Sequence, residues 1–184
     1  MKRLDVYYCG WSEDWLLGHL ADDGHTLLFE YSSQALEEGL ELSPMHLKLR
    51  AQAYERFAMH QHRLPGLMAD SLPDGWGLML MDRVFRQHGL TQPGPLDRLA
   101  FIGDRALGAL RYAPASGVVD SLPDWNLQTL AAQTAMVVAG DAKGALRELA
   151  VLGGSPQGAR PKALVKHDHL TGAFSTLDDA PGDP

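Results

Sequence analysis

The densest chemistry in this chain lies in one run, Gly153-Gly154-Ser155-Pro156-Gln157-Gly158-Ala159-Arg160-Pro161-Lys162. Small residues let a backbone approach a phosphate closely. Successive N–H groups then form an anion cradle, and a nearby Lys or Arg neutralises the charge. Arg160 and Lys162 stand where that neutralisation is needed. The run is neither a Walker A loop, which ends Gly-Lys-Ser/Thr, nor Gly-x-Gly-x-x-Gly. On residue types alone, a phosphate cradle and a plain loop after a helix both stay open.

Other groupings point to less. His60-Gln61-His62 and His167-Asp168-His169 each place two imidazoles on one face of an extended strand, as a shared metal would require. Neither has a third ligand close in sequence, so exposed loop histidines and no metal site are expected. Asp178, Asp179 and Asp183 fall in a Pro/Gly tail without a scaffold and read as a solvated end rather than magnesium ligands. No Gly-x-Ser-x-Gly occurs, which removes the usual serine-hydrolase reading. Trp11, Trp15, Trp76 and Trp125 are dispersed and not interleaved with basic residues, so core or hinge packing is expected of them. Cys9 is expected to pack at the end of the first strand, and the Met-containing stretch 78–81 to face a core.

Composition narrows the class. The 184 residues suffice for one domain or two small ones, with 45% hydrophobic and 21% charged residues, near globular averages. Lys and Arg number 16 against 23 Asp and Glu, a net charge of −7 that argues against a free-standing nucleic-acid binder. No apolar stretch approaches the roughly 20 residues that span a bilayer. The single cysteine excludes an internal disulfide and a Cys-based zinc site, and suits a reducing compartment. The start lacks the apolar core of a signal peptide, so a cytoplasmic protein without membrane contact is expected.

The elements that would position these residues are α+β, with β structure first. Leu4, Val6 and Tyr8 alternate as a half-buried strand requires. Asp23-Gly24 separates apolar runs at 15–20 and 26–31, a hairpin signal. A short helix is expected within 32–42. A stronger one follows Pro73, with Asp74 as cap, Leu78, Met81 and Phe85 at helical spacing and Gly89 as stop. Residues 96–101 read as a short helix and 106–112 as a strand before Pro114. Asp124 or Asn126 caps a helix that Gly140 ends, and another helix is expected over 141–152. Residues 163–166 read as a strand, and 171–184 as an irregular tail.

Four of these segments, in this order, resemble the N-terminal portion of the HipA-family serine/threonine kinase toxins of type II toxin–antitoxin pairs. They are the strand-and-hairpin opening over 4–31, Leu72-Pro73-Asp74-Gly75-Trp76-Gly77 before a helix, LAFIGDRALGAL at 99–110, and GGSPQGARPKALV at 153–165. The resemblance implies a small N-terminal subdomain over 1–114, linker helices over 115–152 and the start of a kinase-like N-lobe over 153–184. It also implies that Gln157, Gly158, Ala159, Arg160, Pro161 and Lys162 contact ATP phosphates. Ser155 matches the loop serine such kinases phosphorylate on themselves, and the added charge would repel the nucleotide. Pro156 and Pro161 depart from a fully N–H-donating loop.

The same resemblance marks what is missing. Phosphoryl transfer needs a strand lysine, an Asp that orients the attacking hydroxyl, and Asp/Asn ligands for magnesium. No His-Arg-Asp-like or Asp-Phe-Gly-like segment occurs in these 184 residues. No catalytic residue is therefore assigned, and the chain is expected to be inactive alone, with weak or absent binding of ATP and Mg²⁺. The expected partners are a helix-turn-helix antitoxin of HipB type, through which any DNA contact would run, and the missing kinase lobe or a separate kinase chain. The alternative is a non-catalytic module that restrains or assembles with such a chain.

Overall fold

The computed structural model describes residues 1–73, 75–117, 126–140, 149–151, 163 and 165–176. The fold is α+β. The chain divides into two compact units, the first comprising 1–72 and 92–116, the second 73–91 and 117–184.

The first unit is built on an antiparallel sheet of β1 (Lys2–Tyr8), β2 (Trp15–Asp22), β3 (Leu27–Tyr31), β4 (Ala53–Tyr54) and β5 (Leu110–Ala113), ordered β4-β3-β2-β1-β5. The alternation of β1 does what its pattern requires: Leu4, Val6 and Tyr8 are buried, as are Leu110 and Tyr112 on its partner β5 and Phe29 and Tyr31 on β3, beyond β2. The β2–β3 hairpin is held by its own acids. The Asp22 carboxylate accepts from the Gly24 N–H at 2.8 Å, and the Asp23 carboxylate from His25 and Thr26 at 2.8 and 2.7 Å. Gly24 takes φ +94°, which a side chain would resist.

Where β1 meets β2, the register slips between Val6 and Tyr7, and Leu17 is the extra residue. Its carbonyl accepts from the Ser32 N–H at 3.0 Å, and the Ser32 hydroxyl accepts from Ala35 N–H, capping α1 (Ser33–Glu38). Beyond α1, Tyr31 donates its hydroxyl to the Leu47 carbonyl at 2.7 Å, tying an irregular stretch to the sheet. α2 (Gly66–Ala69) and α4 (Pro95–Ile102) complete this unit. In α4, Leu96, Leu99, Phe101 and Ile102 are buried, and Asp97 accepts from the Gly94 N–H at 2.8 Å while pairing with Lys2 at 2.6 Å.

In the second unit, α3 (Gly75–Gln87) buries Trp76, Leu80, Met81, Val84 and Phe85, spacings of three and four that form one stripe. It ends as its glycine requires. Leu90 N–H donates to Phe85 at 2.9 Å and Gly89 N–H to Arg86 at 3.1 Å, with Gly89 at φ +80°. α5 (Leu127–Val138) is capped by Asn126, whose side chain accepts from Thr129 N–H at 2.9 Å, and Gly140 stops it at φ +94°. Residues 149–151 are helical and buried. A short hairpin of β6 (Lys166–His167) and β7 (Phe174–Ser175) follows.

Several expected boundaries move. The strand expected over 106–112 begins only at Leu110, because Gly108 takes φ +117° and breaks the extended run. The strand expected at 163–166 begins at Lys166, and the expected irregular tail contains β7. The Asp74 cap and most of the 141–152 helix lie outside the described residues.

Candidate functional site

Ser155, Gln157, Gly158, Ala159, Arg160, Pro161 and Lys162 lie outside the described residues, as do Asp178, Asp179 and Asp183. What is described is the hairpin that follows the glycine-rich run. The Asp168 N–H donates to the Ala173 carbonyl at 2.9 Å, and the Gly172 N–H donates back to Asp168 at 2.7 Å, with Gly172 at φ +72°. The Asp168 carboxylate accepts from the Thr171 hydroxyl and from the Leu170 N–H at 2.9 Å. These bonds, the hydroxyl first, hold the carboxyl below its ordinary range. Asp168 is thereby occupied as a turn-former.

Of the paired histidines, His60, His62 and His169 are exposed in turns, as expected, and only His167 lies in a strand. His167 is in β6 but His169 is in the turn; their rings meet edge to face at 4.6 Å, and His167 also stacks on Phe174 at 4.6 Å. His60 sits in a 3-10 turn over Met59–Gln61, and His62 closes that turn at φ +56°. Among the described residues no group of three His, Cys, Asp or Glu side chains is placed to hold a metal ion.

The tryptophans divide. Trp15 and Trp76 are buried, as expected, whereas Trp11 is 89% exposed and contradicts core packing; Trp125 is outside the described residues. Cys9 is half-buried just after β1, its N–H donating to the Ala109 carbonyl at 2.8 Å. Burial and then the charge of Asp14 push its thiol up, against the pull of Arg111, so it is not an activated nucleophile. Ser71 is likewise not poised for attack. Its hydroxyl meets the Tyr112 hydroxyl at 2.6 Å inside the core, and burial raises the Tyr112 phenol far above its ordinary value.

The first unit also carries an open cleft of about 710 Å³, floored by Leu47, Pro65 and Leu67 and edged by His46, His60 and Asp70. A smaller hollow of about 180 Å³ shares Leu67 and Asp70 and reaches Leu110. Ser43 also lines the cleft, and among the described residues no hydrogen bond joins that serine to His46 or His60.

One of the sequence signals sits on the scaffold of the first unit. The LAFIGDRALGAL segment ends α4 at Gly103, φ +62°, whose N–H donates to Leu99 at 2.9 Å and whose carbonyl accepts from Tyr112 N–H at 2.9 Å. A side chain at Gly103 would crowd Ala115 at 3.1 Å. This glycine lets one chain turn close a helix and pin the outer edge of β5. Compared with known families, residues 8–113 match the HipA N-terminal domain, more than half of the 184 residues. The chain belongs to the HipA family. The matched span of this HipA N-terminal domain runs from the end of β1 to the end of β5 and includes both the Leu72–Gly77 motif and LAFIGDRALGAL. The glycine-rich run lies beyond it. No curated protein matches the chain. No described helix is long and apolar enough to cross a membrane.

Proposed function

We propose that this chain supplies the N-terminal region of a HipA-type protein serine/threonine kinase: a small partner-binding subdomain, linker helices, and the opening of the kinase N-lobe with its phosphate loop. The observation that carries this reading is a HipA N-terminal domain over 8–113 followed in the same chain by GGSPQGARPK at 153–162. ATP is the substrate. Gln157, Gly158, Ala159, Arg160 and Lys162 offer backbone N–H groups to its phosphates; Pro161 offers none and stiffens the loop. Arg160 and Lys162 add two cations with no carboxylate inside the run, a donor set suited to a triphosphate arriving with Mg²⁺.

Phosphorylation of Ser155 would place a near-dianion beside that cradle and repel the nucleotide, a self-limiting switch. The acid that orients the attacking hydroxyl and the Mg²⁺ ligands come from the remainder of the kinase, so this chain binds and positions while other residues react. The kinase acts as the toxin of a cytoplasmic pair. A helix-turn-helix antitoxin binds the first unit and carries the DNA contact, in keeping with the net charge of −7 here. Backbone amide NMR with added MgATP tests the reading. Shifts confined to 153–162 support it, and shifts elsewhere or none oppose it.

A second reading is favoured by the family match ending at residue 113, before the glycine-rich run: a non-catalytic module that restrains a separate kinase chain. Its mark would be suppression of that kinase's activity by this chain carrying Lys162→Ala.

A further inference from the structure

The tip of the β1–β2 hairpin holds a residue that the fold does not require. Its turn is closed by the Glu13 N–H donating to the Gly10 carbonyl at 3.0 Å, and its central residues Trp11 and Ser12 take φ of +51° and +65°. Two successive positive-φ positions are those that Asn-Gly or Asp-Gly fills with least strain. Here the first is tryptophan, and its indole is 89% exposed, whereas Trp15 and Trp76 are 6% and 7% exposed. Trp11 thus disfavours the folded chain through its backbone conformation and gains it almost no burial in return. Only a covering molecule would take that apolar surface out of water.

The platform below the indole is fixed. Cys9 N–H donates to Ala109 at 2.8 Å on one side of the turn. On the other, the Arg111 Nη2 spans both Asp14 oxygens at 2.7 and 2.9 Å, and Arg111 lies over the Tyr7 ring at 3.9 Å. Trp15 Nε1 donates to Glu13 at 3.1 Å, and the Tyr8 and Trp15 rings pack 4.9 Å apart. Tyr8 covers Gly10 so closely that a Cβ there would come within 2.4 Å of its hydroxyl. A rigid aromatic on a braced base loses little freedom when covered, which is how interface hot spots behave. Its charged setting selects the partner: with Asp14 matched by Arg111, Glu13 leaves the tip negative on a chain of net −7.

We propose that Trp11 is the anchor by which this chain docks its basic, DNA-binding partner protein, the indole entering an apolar pocket rimmed by lysine or arginine. The inference rests on the partner reading given above and adds the contact that makes it.

The test is calorimetric titration of the full chain with the helix-turn-helix partner protein, using wild type, Trp11→Asn and Trp11→Phe. Asparagine accepts positive φ, so Trp11→Asn is expected to raise the melting temperature while weakening partner affinity by about 30-fold or more, with Phe between. Unchanged affinity, or a lowered melting temperature in Trp11→Asn, overturns the anchor role and leaves the partner reading intact. Failure of the wild-type chain to bind overturns both. Loss in Trp11→Asn of self-association, or of binding to phosphatidylcholine vesicles, with partner affinity retained, assigns the tip to a second copy or a lipid surface instead.

Discussion

Gly18 leaves no room for a methyl group. A Cβ built there would lie 2.3 Å from the Glu30 carbonyl and 2.8 Å from the Phe29 ring, and Phe29 is fully buried. The obstacle is backbone on a paired strand, so relief requires the sheet itself to move. Gly18→Ala is therefore expected to destabilise the chain by about 1–3 kcal/mol, read as a lower urea midpoint with an unchanged slope. Tyr31 offers a second handle. Its hydroxyl is buried and donates to Leu47, and burial, reinforced by Tyr54 and Glu41, pushes its pKa up to about 12. The unfolded chain therefore releases this proton first, near the ordinary value of 10, so the stability contribution is complete below pH 10 and declines as pH rises towards 12. Urea midpoints measured from pH 8 upward should fall through that window. Tyr31→Phe should flatten the fall, while starting lower because the Leu47 carbonyl loses its donor.

The helices and hairpins differ in how much of them is legible before folding. Asn126 accepts from Thr129 N–H at 2.9 Å with its side chain alone, so Asn126→Ala should lower stability by about 1 kcal/mol, measured as a reduced urea midpoint. Stops at Gly89 and Gly140 and the Asp23-Gly24 hairpin can be read because each depends on local chemistry: a residue that tolerates positive φ, or a carboxylate that reaches its own backbone. β4 and β7 cannot, since each has only two residues and exists through pairing with Phe29–Glu30 or Lys166–His167. The turn at Trp11-Ser12 escapes for the opposite reason. Its geometry is local, but the usual Asn or Gly signal is absent, so the residue types suggest a packed tryptophan where an exposed one stands.

For the chain as a whole, the order of four motifs carries more than any one of them. Leu72–Gly77 and the 99–110 segment lie inside the HipA N-terminal domain match, and Gly103 gives the latter a physical reason: it closes α4 and pins β5. The glycine-rich run is legible as a donor set, from its small residues, Arg160 and Lys162, while its geometry is not, because a phosphate cradle is made by backbone angles that composition does not specify. The proposed function turns on that run. Thermal unfolding of the full chain against MgATP, in wild type and Lys162→Ala, tests it most directly. Wild type should show a saturable rise of a few degrees only at millimolar nucleotide, about the shift that ligand at tenfold its Kd gives a chain of this size, and Lys162→Ala should abolish it. No rise in wild type at millimolar MgATP, or an equal rise in both proteins, would contradict the assignment of 153–162 as a phosphate loop.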